Sequence, residues 1–314
     1  LPGYIGATPL RTVQHWSKEG RRILTANSSF LAVEEPEAGA LRVWDLTGLN
    51  NAPVTLKGHQ DKLSSLAVSP AGQFIVAANE NNSIQVWRRT KPDNVFEMFA
   101  VLPGHQAPLT SLAFSPDENL LATASKDHTA RIWSLIDPGK KPVVTERHGK
   151  PLTSIAFSPS GKWVVTASED GRTRVWNVVN GKNIVELRKR TYVSIVRAQH
   201  RSFPLKYLLP VSIDFYSKGE LPGVNSASFS PDGNYVVTAS EDGTAQIWKA
   251  ETGKSVATLS GHILAVRSAV FTPDGLSVIT AGADNTVRVW DLCGGKVKLR
   301  ASQLREQCLS PKVK

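Results

Sequence analysis

The chain has 314 residues, 41% of them hydrophobic and 20% charged, with 23 Gly, 19 Pro and 2 Cys. A chain this long buries roughly 75% of its unfolded surface without help from disulfides or metals, and the apolar fraction excludes disorder as the main state. The net charge is +10, of which residues 181–220 carry +5 and residues 291–314 carry +4. Cys293 and Cys308 stand near the C-terminus and form no C-x-x-C pair, so a disulfide framework is excluded. No uncharged apolar run reaches the ~18 residues of a membrane span. The chain begins at Leu1 without Met and holds only Met98, which reads as a fragment or processed form of a longer protein. No signal-peptide pattern is present, and the cytoplasm is the expected compartment.

In chain order, a loose repeat comes first. Ser17-Lys18-Glu19-Gly20 reads as a turn and Trp44 follows it by 27 residues. Five tighter copies come next. Their turns begin at Ser69, Ser115, Ser158, Ser230 and Thr272, each followed by Pro, and each leads to a tryptophan 18 residues on: Trp87, Trp133, Trp176, Trp248 and Trp290. Against these, the first copy has nine extra residues, and Glu34–Ala38 reads as an inserted loop. Residues 158–176 and 230–248 agree at 12 of 19 positions.

Each copy reads as short strands. Leu112-Ala113-Phe114 and Ile155-Ala156-Phe157 run into a Pro turn, where Pro presets φ and Gly tolerates a positive φ. Apolar runs such as Val164-Val165-Thr166-Ala167 follow, then alternating ones such as Thr173-Arg174-Val175-Trp176. A fourth strand, such as Ser255–Leu259, completes a unit of about 43 residues, the period of a propeller blade.

One interval is irregular. Trp176 and Trp248 are 72 residues apart, against 42 to 46 elsewhere. The excess is read either as a long insertion or as a degenerate blade with short strands near 191–197, 205–209 and 211–216. A basic tail over 302–314 closes the chain.

These features resemble the WD-repeat β-propeller family. Trp44-Asp45 and Trp290-Asp291 carry the eponymous dipeptide; Gly58-His59, Gly104-His105 and Gly261-His262 carry the other signature pair. The close similarity between copies resembles bacterial members, which are often joined to regulatory ATPase or kinase domains. The resemblance implies an all-β propeller of four-stranded antiparallel blades over residues 1–301. Seven blades are favoured, with the irregular stretch 188–222 as the seventh; six is the alternative.

The family's structural hydrogen-bond network is carried over by position. It runs through His105, Ser125, Asp127 and Trp133 in one copy and His148, Ser168, Asp170 and Trp176 in the next. The copy at Trp248 offers Ser240 and Asp242, with Glu220 in the histidine position. The copy at Trp290 offers His262 and Asp284, with Gly282 replacing the serine. The copy at Trp87 has His59, with Asn79 and Asn81 in the other two places.

An Asp–His–Ser row prompts thoughts of nucleophilic catalysis, but its recurrence in copy after copy favours structure. No phosphate-binding loop, H-E-x-x-H or G-x-S-x-G motif is present. His15, His128 and His200 lack metal-ligand spacing. No catalytic residue, cofactor or metal is therefore expected.

The expected role is a non-catalytic protein-interaction platform, a scaffold or sensor domain. By resemblance, its partner face gathers the histidine loops and aspartate turns: Gln60, Asp61, Lys62, Gln106, Lys126, His128, Lys150, Glu169, Arg172, Glu241, Ile263 and Leu264. The alternative is binding of nucleic acid or an anionic surface. Its candidates are Arg188, Lys189, Arg190, Arg197, Arg201 and Lys206, together with the basic tail.

Overall fold

The computed structural model describes residues 10–17, 20–26, 30–35, 40–45, 53–57, 63–90, 95–188, 221–292 and 298–300. These form six antiparallel sheets, each built from strands consecutive in sequence. The first sheet has five strands, β1 (Leu10–Ser17), β2 (Gly20–Ala26), β3 (Phe30–Glu35), β4 (Ala40–Asp45) and β5 (Val54–Lys57). The second holds β6 (Leu63–Val68), β7 (Phe74–Asn79), β8 (Ile84–Thr90) and β9 (Val95–Leu102). The third holds β10 (Leu109–Phe114), β11 (Leu120–Ser125), β12 (Ala130–Ser134) and the short β13 (Val143–Val144). The fourth holds β14 (Leu152–Phe157), β15 (Trp163–Ser168), β16 (Arg172–Asn177) and β17 (Asn183–Arg188). The fifth holds β18 (Val224–Phe229), β19 (Tyr235–Ser240), β20 (Thr244–Lys249) and β21 (Ser255–Ser260). The sixth holds β22 (Val266–Phe271), β23 (Ser277–Gly282), β24 (Val287–Asp291) and β25 (Lys298–Arg300). The architecture is all-β and propeller-like.

The Pro turns work as their residues dictate. The first hydroxyl of each turn accepts the backbone N–H five residues on: Ser69 from Phe74, Ser115 from Leu120, Ser158 from Trp163, Ser230 from Tyr235 and Thr272 from Ser277, at 2.9 to 3.1 Å. That bond opens the second strand of every tight copy in the same register. The hydroxyl also satisfies a donor that the ladder leaves open.

Burial follows from the alternation of each strand. The second strand of each middle sheet is almost wholly buried, because both of its faces are covered by neighbouring sheets. Five apolar clusters fill the five junctions between successive sheets. The junction of the fourth and fifth sheets is typical: Val165, Ala167, Val175 and Leu187 of one pack against Val224, Ala227, Val236 and Trp248 of the other.

One expectation from the sequence is altered by this arrangement. The stretch 34–38 reads as an inserted loop; of it, Glu34 and Glu35 are strand, and 36–38 lie outside the described residues. Glu34 and Glu35 end β3, which pairs between β2 and β4. β3 pairs Leu31 with Trp44 as β11 pairs Leu121 with Trp133, so it is the ordinary second strand, with Phe30 and Ala32 buried, and the additional strand of this sheet is β1. The irregular excess, residues 189–220, lies outside the described residues. The sheets that flank it, the fourth and fifth, pack directly on each other with no sheet between them.

Candidate functional site

A threonine two residues before the end of the second strand is the hub of the third, fourth, fifth and sixth sheets. Thr123 Oγ1 accepts the Trp133 indole N–H at 3.0 Å and meets His105 Nε2 at 2.8 Å. His105 Nδ1 lies 2.8 Å from Asp127 Oδ2. The fourth sheet repeats this with Trp176, Thr166 and His148 at 2.8 and 2.9 Å, and Asp170 at a longer 3.4 Å. The sixth repeats it with Trp290, Thr280, His262 and Asp284 at 2.8, 2.8 and 3.0 Å. A carboxylate beside Nδ1 requires the proton there, so in the neutral ring Nε2 accepts from the threonine hydroxyl.

The serines named from the sequence have another task. Ser125 Oγ donates to Ala107 O at 2.7 Å and accepts the Asp127 N–H at 3.0 Å. Ser168 does the same for Lys150, Pro151 and Asp170. Ser240 does so for Gly223 and Asp242. The physical reason is reach. Two residues along a strand is about 6.6 Å, so an indole that meets Thr123 cannot also meet Ser125. A sequence signal existed: Thr123, Thr166, Thr238 and Thr280 all stand ten residues before their tryptophan.

The aspartates are the electrostatic anchors. Burial alone would raise the Asp127 carboxyl, but hydrogen bonds from His105, Thr129 and the Gln106 N–H outweigh it and hold the group well below the usual carboxylate range. Asp170 is held low in the same way, burial being opposed by His148 and by the Gly149 and Arg172 N–H groups. Asp284 is held low against desolvation by Thr286, His262 and the Ile263 N–H.

Gly282, where other copies have serine, is explained by the same geometry. A Cβ there would collide with both Asp284 Oδ1 and His262 Nδ1, so this His–Asp pair occupies the space a serine would need.

The fifth sheet departs from the pattern. Trp248 Nε1 donates to Thr238 Oγ1 at 2.9 Å, and Asp242 Oδ1 accepts from Thr244. The histidine position, Glu220, lies outside the described residues. A cavity of about 20 Å³ sits beside the hub, lined by Thr173, Thr238, Ser240, Thr244 and Trp248 among others. That is room for a single water. The Thr173 hydroxyl is buried there without a hydrogen-bond partner. In the second sheet Ala77 takes the hub position, and Asn79 Nδ2 instead bonds Ser83 Oγ at 2.9 Å.

The relay has the order of a nucleophile, base and orienting acid. Its hydroxyl cannot meet a substrate, since Thr123, Thr166 and Thr280 are completely buried. Among the described residues, no three His, Cys, Asp or Glu side chains converge as a metal site. No helix among them is long and apolar enough to cross a membrane.

What the relays do is fix one face. Lys126, Glu169 and Glu241 donate their N–H groups to the entry loops at Pro108, Pro151 and Gly223. Gln106 and Ile263 donate theirs to Asp127 and Asp284. Successive sheets are stitched along the same face. The His148 N–H donates to His128 O, and His128 Nδ1 meets His148 O at 3.3 Å. Gly243, at φ +80°, lies so close to the sixth sheet's loop that a Cβ would sit 3.0 Å from His262 O and 3.2 Å from Leu264 O. The structure thus brings Gln106, Lys126, His128, Lys150, Glu169, Arg172, Glu241, Ile263 and Leu264 onto one face spanning four sheets. Gln60, Asp61 and Lys62 lie outside the described residues. Ile263 and Leu264 are 83% and 54% exposed on this face.

Of the basic candidates, only Arg188 is described. It is exposed at the end of β17, opposite Arg172. Lys189, Arg190, Arg197, Arg201 and Lys206 lie outside the described residues.

Known proteins bear on this arrangement. The family model described as WD domain, G-beta repeat matches residues 51–88, 96–134, 139–177, 215–249 and 253–291, together more than half of the chain. Human WD repeat-containing protein 86 is 50% identical over 40 residues, which is 13% of this chain and 11% of that protein. The aligned stretch therefore spans about a tenth of the human relative. The crystal structure of the computationally designed Ika8 protein is similar in fold, with a TM-score of 0.64 at 22% identity over 87% of this chain and 71% of that one.

Proposed function

Since the chain belongs to the WD-domain, G-beta repeat family, we propose that it is a non-catalytic platform for a protein or peptide partner, a scaffold or sensor domain working in the cytoplasm. WD-repeat proteins generally act as protein-interaction scaffolds. The partner face is the one built from the entry loops and aspartate turns. A single observation carries this reading. Ile263 and Leu264 hold exposed apolar side chains on a loop whose backbone is fixed by Asp284 below and packed against Gly243 beside it. A side chain presented on an already ordered loop loses little entropy on binding. An apolar centre ringed by polar residues is the common anatomy of a protein interface. The polar ring is supplied by Gln106, Lys126, Lys150, Glu169, Arg172 and Glu241.

The test is capture of partners from source lysate at low and high salt. Three proteins are compared: wild type, Ile263→Glu with Leu264→Glu, and a form with Arg188, Lys189 and Arg190 neutralised. The expected result is a protein retained at high salt by wild type and by the neutralised form, and lost from the double variant. Nucleic acid or lipid held only at low salt, and lost from the neutralised form, contradicts this reading. It would move the site to the basic segments.

A further inference from the structure

In the third, fourth and sixth sheets the residue two before the tryptophan is an arginine: Arg131, Arg174 and Arg288. The fourth sheet shows this side chain satisfied. Arg174 Nε donates to Glu186 Oε2 at 3.2 Å, and its Nη1 donates to Arg147 O at 3.1 Å. Glu186 stands directly across from Arg174 on β17. In the third sheet the facing residue is Val144, which offers no acceptor to Arg131. Neither Arg131 nor Arg288 meets an acceptor among the described residues, and the Nε of each is sealed from solvent without one.

A glycine sets this difference. The residue before the relay histidine is Gly104 in the third sheet and Gly261 in the sixth, but Arg147 in the fourth. A Cβ at Gly104 would collide with Arg131 Nη1, and one at Gly261 with Arg288 Nη1. Each guanidinium therefore lies across bare loop backbone, with Nε turned inward. Both side chains are partly exposed, so the Nη edge is left to solvent. A guanidinium stripped of water at Nε and given no acceptor there is poorly compensated. Its Nη edge has the fork geometry that a carboxylate meets with two parallel bonds. Arg288 has a neighbour that Arg131 lacks. Gly261 is two residues from Ile263, so their Cα atoms lie within about 7 Å. Ile263 and Leu264 are 83% and 54% exposed, whereas the third sheet has Gln106 and Ala107 in those places. No carboxylate of this face competes for Arg288. Asp284 is taken by His262, Thr286 and the Ile263 N–H, and Glu241 is turned toward Gly223.

We propose that Arg288 receives a carboxylate side chain from a protein partner whose aliphatic residue sits on Ile263 and Leu264. This assignment rests on the loop-face reading above and adds the partner's chemistry: an aliphatic residue with Glu or Asp close to it in sequence. One guanidinium matches the single charge of a carboxylate, and Glu186 on Arg174 is the molecule's own example of the pair. The apolar contact anchors the segment, and the charge pair selects it.

The test uses the full chain and a set of fluorescein-labelled peptides in which Glu follows Leu directly, after one Gly or after two, within a Gly-Ser frame. Each has a twin with Gln in place of Glu. Fluorescence anisotropy gives the Kd. At least one Glu peptide is expected to bind wild type about tenfold tighter than its Gln twin, the difference between a charged and a neutral acceptor. Arg288→Gln should erase that discrimination. Arg131→Gln, which alters an equally sealed arginine with no apolar neighbour, should keep it. Ile263→Glu with Leu264→Glu should abolish binding of both twins. Arg288→Lys keeps the charge and loses the fork. It serves where the melting temperature shows that Arg288→Gln is unfolded, and should discriminate less than wild type.

Twins bound alike by wild type, or discrimination that survives in folded Arg288→Gln or is lost equally in Arg131→Gln, overturn the assignment of Arg288 and leave the loop face standing. A wild type that binds none of the peptides overturns it as well, and the platform reading is then judged by the lysate capture alone. Undiminished binding of both twins by Ile263→Glu with Leu264→Glu overturns the loop-face reading and this assignment with it.

Discussion

The fourth and fifth sheets are near copies in sequence, yet one has a histidine on its hub and the other a cavity. Both bond the tryptophan to the hub threonine, Trp176 to Thr166 and Trp248 to Thr238, at 2.8 and 2.9 Å. Only the fourth adds His148 at 2.9 Å from its hub. Beside the fifth sheet's hub lie about 20 Å³ of open space and the unpartnered hydroxyl of Thr173, which the fourth sheet contributes. The two sheets separate contributions that sequence similarity merges. The indole–threonine bond and the apolar packing suffice to form a blade. The histidine and aspartate add rigidity at the loop end, where partners would be met.

The largest effect that would break this comparison is loss of the packing common to both sheets. Trp176→Ala and Trp248→Ala should each destabilise by about 3–5 kcal/mol in denaturant unfolding, because each removes a buried aromatic. A much smaller loss at Trp248 would mean that the fifth sheet is already loosely packed.

Acid should act on the relay-bearing sheet. Asp170 is held below its ordinary value, so its contribution is fully present above the unfolded value of about 3.9 and is lost as pH falls through the folded value. Asp170→Asn should therefore lower stability at pH 7. The gap to wild type should narrow progressively below about pH 4. Melting curves across pH 2–7 check this, and a gap independent of pH would contradict it.

Removing the orphaned hydroxyl has a smaller, opposite effect. Thr173→Val should stabilise by about 1 kcal/mol, since a buried unpaired polar group is replaced by an apolar one of the same shape. Smallest of all is His128→Gly. His128 holds φ +72° where the fourth and fifth sheets place Gly171 and Gly243. Relief of that backbone should gain up to about 1 kcal/mol, offset by loss of the 3.3 Å contact to His148 O. Chemical denaturation resolves both.

How much of this was legible in the sequence follows from range. The Pro turns and the 18-residue spacing to tryptophan are local, and they placed the strands of five sheets. The hub was misplaced because Thr123 and Ser125 alternate onto the same side of β11. Only the reach of the indole chooses between them. The end of β3 was hidden because Glu34, Glu35 and Pro36 resemble a loop, while the buried pair Phe30 and Ala32 just before them carried the strand signal. The candidate face was legible as turns and loops, since its members come from repeated positions. The stitching through His128 and Gly243 depends on contacts between sheets.

The most direct measurement is the unfolding free energy of Thr166→Val beside that of Thr238→Val. In the fourth sheet the change strips partners from both the Trp176 indole and His148 Nε2. In the fifth it strips the Trp248 indole, and no histidine among the described residues meets that hub. Each abandoned buried group costs about 1–3 kcal/mol. Thr166→Val is therefore expected to be the more damaging by roughly the worth of one such group. Equal losses would show that the histidine adds nothing to the hub, and would contradict a relay in which threonine, histidine and aspartate act together.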